Sequence, residues 1–143
     1  MKTKISAVLA VCLCLCLATC KSPASSSDSS TPVYPPKSGD WTASTGFGTL
    51  DFTVNNTSTY ISKFTITYNN WKGRSGSVTT SSDPGWAISN RTFKIEHTYS
   101  GYIPEQWTIE GTFETSGNKA SGTWKAVISG QTDSGSWQAV PKS

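Results

Sequence analysis

Few side chains in this sequence have the type and spacing for covalent chemistry. A Ser-His-Asp arrangement needs a base, and His97 is the sole histidine. It sits between Ile95 and Tyr99 on an apolar alternation, which reads as a core or rim histidine. Glycoside hydrolysis needs two carboxylates about 5–10 Å apart across a cleft. Glu110 and Glu114 alternate with Thr, and Glu96 stands beside Lys94, the pattern of a solvated strand face. Asp40, Asp51, Asp83 and Asp133 are scattered singly, so a metal cage of clustered acids is not expected, though a one-carboxylate calcium site in a loop stays open. No cofactor is implied. The residues left with recognition chemistry are aromatic. Both expected loop aromatics lie in polar, Gly-containing stretches: Trp71 in a loop among Asn69, Asn70, Lys72 and Arg74, and Tyr102 in a loop after Gly101. An indole with amide and cationic neighbours can stack a sugar ring while the polar groups take its hydroxyls. The other reading of Trp71 is that it folds back to cap one end of the domain. Trp41, Trp107, Trp124 and Trp137 fall on apolar strand faces and read as core.

The cysteines carry a different chemistry. All four, Cys12, Cys14, Cys16 and Cys20, lie near the N-terminus, so the rest of the chain must fold without disulfides. Lys2 and Lys4 precede an apolar run, Ile5–Leu17, that is short against the roughly 20 residues of a membrane span. Leu17-Ala18-Thr19-Cys20 closes it. This layout resembles the lipobox of bacterial lipoproteins, with Thr19 where Gly, Ala or Ser is usual. The resemblance implies cleavage before Cys20 and acylation of its thiol. Each buried methylene contributes about 0.8 kcal/mol, so several chains make a stable membrane anchor. It also implies an extracytoplasmic domain at the outer membrane or cell surface, and Lys21 after the cysteine is compatible with the outer membrane. Ordinary signal cleavage is the competing expectation.

Three segments follow: a signal at residues 1–19, a lipid-anchored Ser/Pro-rich flexible linker at 20–39, and a domain at 40–143. The linker holds almost no large apolar residues and cannot offset its ordering entropy. Loss of Lys2 and Lys4 would leave ten Lys/Arg against nine Asp/Glu. No basic cluster appears, so nucleic acid is not an expected partner. The expected partners are the membrane, through acyl chains on Cys20, and a glycan or a surface protein.

The domain alternates with period two. Leu50, Phe52 and Val54 share a face of Thr49–Val54, and Phe64, Ile66 and Tyr68 share a face of Tyr60–Tyr68. Phe93, Ile95, His97 and Tyr99 do so around Thr92–Thr98. Gly76–Thr80 is a weak Ser/Thr-rich edge strand, followed by a turn at Asp83-Pro84-Gly85. A loop at Ser100–Glu105 leads to Gln106–Thr115 and Lys119–Ile128, and after a turn at Ser129–Asp133 a last set of Gly135, Trp137 and Ala139 closes the chain. Ser121-Gly122-Thr123-Trp124-Lys125-Ala126-Val127 recurs as Ser134-Gly135-Ser136-Trp137-Gln138-Ala139-Val140, as expected for two strands of one hairpin. Each Gly shares a face with its Trp and leaves room for an indole on a neighbouring strand.

These features predict an all-β fold, an antiparallel β-sandwich of about 7–8 strands, with a small closed calycin-like β-barrel as the alternative. The early Trp41, with Gly122-Thr123-Trp124 later, is similar to the texture of lipocalin and avidin barrels. It is also similar to small all-β modules of bacterial lipoproteins. The leading expectation is a surface-tethered, non-enzymatic lipoprotein with a structural, adhesive or interaction role. The others are a carbohydrate-binding module using Trp71 and Tyr102, a calycin-like small-ligand carrier and, last, a hydrolase.

Overall fold

The computed structural model describes residues 31–101 and 104–143. Cys20 and Tyr102 lie outside the described residues, as does the signal. Eight strands follow in chain order: β1 (Gly39–Ser44), β2 (Gly48–Val54), β3 (Tyr60–Trp71), β4 (Arg74–Ala87), β5 (Thr92–Tyr99), β6 (Glu105–Phe113), β7 (Ala120–Ile128) and β8 (Gln131–Pro141). The fold is all-β and antiparallel. All eight strands lie in one sheet in the order β4-β3-β2-β1-β8-β7-β6-β5. Chain neighbours pair throughout, and β1 pairs with β8 to join the two halves. The sheet curls until its end strands approach one another. Ser89 bridges Thr92 across the β4–β5 turn, and Phe64 on β3 meets the edge of His97 on β5 at 5.7 Å. Of the two expected arrangements, the nearly closed barrel describes it.

Eight strands enclose a bore just wide enough for side chains to fill. The period-two faces supply those side chains. Trp41, Trp107, Trp137, Phe64, Phe113 and Ile61 are each less than 2 % exposed. Size alternates around the barrel wall. Phe93, Gly111, Gly122 and Trp137 lie in one lateral row across β5 to β8. A side chain on Gly111 would stand 2.5 Å from the Phe93 ring and 2.6 Å from the Trp137 ring. Trp124 lies over Gly135 in the same way, where a Cβ would meet its Nε1 at 2.8 Å. Gly135 thus makes room for an indole as the sequence indicates, whereas the space at Gly122 is taken by the backbone of Glu110 and Gly111.

Several local expectations change. Asp83-Pro84-Gly85 is not a turn between strands. It lies inside β4, where the register against β3 jumps from Lys63–Ser81 to Ile61–Trp86. The extra residues form a bulge, which bends the long strand around the barrel. Trp71 is not in a loop; it ends β3, opposite Arg74 on β4. Only Lys72 (φ 51°) and Gly73 (φ 78°) connect them. Two positive φ values in a two-residue hairpin suit the right-handed twist of the flanking strands. Ser129 (φ 51°) and Gly130 (φ 76°) repeat the device between β7 and β8, shortening the turn expected over Ser129–Asp133.

The entry segment is also ordered on the barrel. Tyr34 N–H donates to Thr115 O at 2.8 Å, and Lys37 N–H to Gly117 O at 2.9 Å. Pro36 is buried, its carbonyl accepts from Ser58 Oγ, and the buried Trp41 indole donates to Lys37 O at 2.8 Å. Residues 34–37, within the stretch expected to be flexible linker, thus close the barrel end formed by the β2–β3 and β6–β7 turns.

Candidate functional site

The opposite barrel end carries the chemistry. The β3–β4 and β7–β8 hairpins stand side by side there, and Arg74 Nη1 donates to Ser129 Oγ at 3.2 Å. Phe47, from the β1–β2 connection, turns inward and is buried. Its ring meets Trp124 edge-on at 4.6 Å and lies 5.9 Å from Trp71. Trp71 also packs against Tyr68, Trp107 and Trp124. Aromatic pairs of this kind contribute about 0.5–1.5 kcal/mol each beyond area burial. Trp71 is therefore half-buried and caps the barrel, while part of it still lines a surface depression.

Trp71 is held by more than packing. Its Nε1 donates to Asp133 Oδ2 at 3.2 Å. The Lys72 ammonium reaches the same oxygen at 3.3 Å and lies 5.4 Å from the Trp71 ring centroid. Asp133 Oδ1 accepts from Ser134 N–H at 2.9 Å. The Ser134 amide, then the Lys72 ammonium and the Trp71 indole, hold the Asp133 carboxyl below its ordinary range. An ionised acceptor strengthens each of these bonds.

Beneath the cap lies a feature that the period-two reading passes over. Glu105, the first residue of β6, is 6 % exposed, the one buried charged side chain among the described residues. Tyr68 Oη donates to its Oε1 and Trp107 Nε1 to its Oε2, both at 3.0 Å. A buried carboxylate persists only when its oxygens are satisfied in this way. Burial first, and the bond to Glu105 second, push the Tyr68 phenol above its ordinary value. Glu105 is in phase with Trp107, Ile109 and Phe113, which was the sequence signal for an inward acid. Its place after Pro104, in an expected loop, concealed that signal.

The depression above the cap measures about 210 Å³ and is lined by Trp71, Lys72, Arg74, Ile128 and Gln131. Of the two expected ligand-binding residues, Trp71 lines it. Tyr102 is outside the described residues, although Pro104, beyond it, accepts a bond from Ser129 N–H at this end. Gln131 joins Trp71, Lys72 and Arg74 only because the two hairpins are adjacent.

The carboxylates weighed for catalysis do not converge here. Lys94 pairs with Glu96 at 2.8 Å and with Glu110 at 3.8 Å on the exposed wall. The His97 ring packs on Phe64. Glu105 has both oxygens engaged. This end of the barrel thus presents an indole, two cations and an amide around one depression. Comparison with known proteins adds no name to this geometry: no family model, no curated protein and no solved structure matches the chain.

Proposed function

We propose that this chain is a lipid-anchored surface protein whose β-domain has a non-enzymatic interaction role. Leu17-Ala18-Thr19-Cys20, closing an apolar run and opening a Ser/Pro-rich spacer, carries the proposal. Lipid attachment is the one role left to a thiol in a chain whose domain has no cysteine. The pairing of Glu96 and Glu110 with Lys94 on the outer wall supports a solvated rather than a catalytic face. Labelling with a palmitate analogue tests the anchor. Wild-type protein takes up label and fractionates with membranes, and Cys20→Ser does neither; an unlabelled, freely secreted wild-type protein refutes it.

A second reading, a carbohydrate-binding module, is favoured by the depression lined by Trp71, Lys72, Arg74 and Gln131. The indole offers a flat face for a sugar ring, and the polar groups offer bonds to its hydroxyls. Glycan-array binding that is lost in Trp71→Ala supports it. The calycin-like carrier draws less support, because Trp41, Trp107, Trp137, Phe64 and Phe113 occupy the bore.

A further inference from the structure

We infer that the depression over Trp71 selects an acidic sugar, a single ring bearing one carboxylate, with Arg74 as the residue that reads the charge. The inference rests on the carbohydrate-binding reading and adds the ligand class. Its first support is the distribution of charge. Lys72 is occupied, since its ammonium bonds Asp133. Arg74 makes no ion pair among the described residues, and its one side-chain hydrogen bond is to the neutral Ser129 hydroxyl. Among the described residues, Glu105 is the buried acid under this end. Its oxygens are engaged by Tyr68 and Trp107, and Arg74 does not come within ion-pair distance of it. The exposed guanidinium therefore keeps donors for a second partner. Its planar fork matches a carboxylate bidentately.

The second support is rigidity. Trp71 is packed against four aromatic rings and tied at Nε1 to Asp133. Arg74 follows a two-residue turn, and Gln131 follows another. A ligand would meet an indole already in place on a short, fixed hairpin, which limits the ordering cost of binding.

The third support is size. At about 210 Å³ the depression is smaller than the roughly 300–1,000 Å³ of sites for drug-sized ligands. It has room for one ring rather than for a chain lying along a groove. Stacked on Trp71, a ring would put its hydroxyls near Gln131 and a carboxylate near Arg74.

Titration of the intrinsic tryptophan fluorescence of the full-length protein tests this, with glucuronate, glucose and acetate as probes. The expected result is that glucuronate binds at least about ten-fold more tightly than either, more weakly as salt is added. Arg74→Gln removes about ten-fold or more of that affinity, with an unchanged melting temperature because Arg74 is exposed. Gln131→Ala weakens glucuronate but leaves its advantage over glucose. Equal binding of glucose and glucuronate overturns the inference and leaves the carbohydrate reading standing. Absence of binding by both sugars overturns the two together. Acetate bound as tightly as glucuronate overturns sugar recognition. A lowered melting temperature in Arg74→Gln with unchanged glucuronate affinity makes Arg74 structural and overturns its role.

Discussion

Glu105 shows how one side chain can set the stability of a barrel end. Its carboxylate takes the Tyr68 hydroxyl and the Trp107 indole N–H in a water-poor interior. Replacement by Ala would leave both donors buried without an acceptor. Glu105→Ala is expected to cost about 2–4 kcal/mol, seen as a lower denaturant midpoint. Glu105→Gln keeps one acceptor and should cost less. The same pair gives an alkaline dependence. Tyr68 has a folded-state pKa above its ordinary 10.0, through burial first and the Glu105 bond second. Below pH 10 the phenol is protonated in the folded and the unfolded chain alike, so its contribution is fully present. As pH rises past 10 the unfolded chain releases this proton first, and stability falls towards the folded pKa. Tyr68→Phe should flatten that fall relative to wild type. An unchanged slope would show that other tyrosines cause it.

At the scale of elements, the barrel wall depends on where side chains are missing. Gly122 on β7 pairs with Gly111 on β6 and with Trp137 on β8. A methyl on Gly122 would run into the carbonyl of Glu110, which is backbone and cannot swing away, whereas one on Gly135 would meet only the Trp124 ring. Gly122→Ala should therefore be the more damaging of the two. Gly135→Ala is expected in the usual overpacking range of about 1–3 kcal/mol, and thermal melts of the pair check the ranking. The Gly-x-Trp repeat made the Gly135–Trp124 contact legible in the sequence, whereas the close approach of the Glu110 backbone to Gly122 was not. The bulge in β4 was not legible. Pro and Gly after Asp83 are the usual marks of a turn, and only pairing with β3 on both sides carries the strand through them. The fastening of residues 34–37 was equally hidden. Their composition is that of a spacer, and their order comes from acceptors and donors on Ser58, Thr115, Gly117 and Trp41, supplied by distant turns.

For the molecule as a whole, the weak line is the seam between β4 and β5, the two ends of the sheet order. Away from the Ser89–Thr92 bridge, neither strand has a ladder partner on its seam side. Amide exchange should be faster along Gly76–Thr80 than in β6 and β7, which are paired on both edges; uniform protection would show that the seam closes in solution. Alternation determined the inward faces of Leu50–Val54, Phe64–Tyr68 and Phe93–Ile95, because successive side chains on a strand must point to opposite sides; Tyr99, expected on the inward face with Phe93 and Ile95, is exposed at the end of β5. Alternation likewise determined the all-β class, and the N-terminal pattern carries the expected anchor. Trp71 was legible as a special indole through its polar neighbours. Its cap role, the inward Glu105 and the company of Arg74 with Gln131 were not. They follow from the pairing of β1 with β8 and the curl of the sheet, which bring the β3–β4 and β7–β8 hairpins to one end. Side-chain periodicity is a local property of each strand. Which strand ends meet is decided by the closure of the whole sheet, and that closure assembled the site.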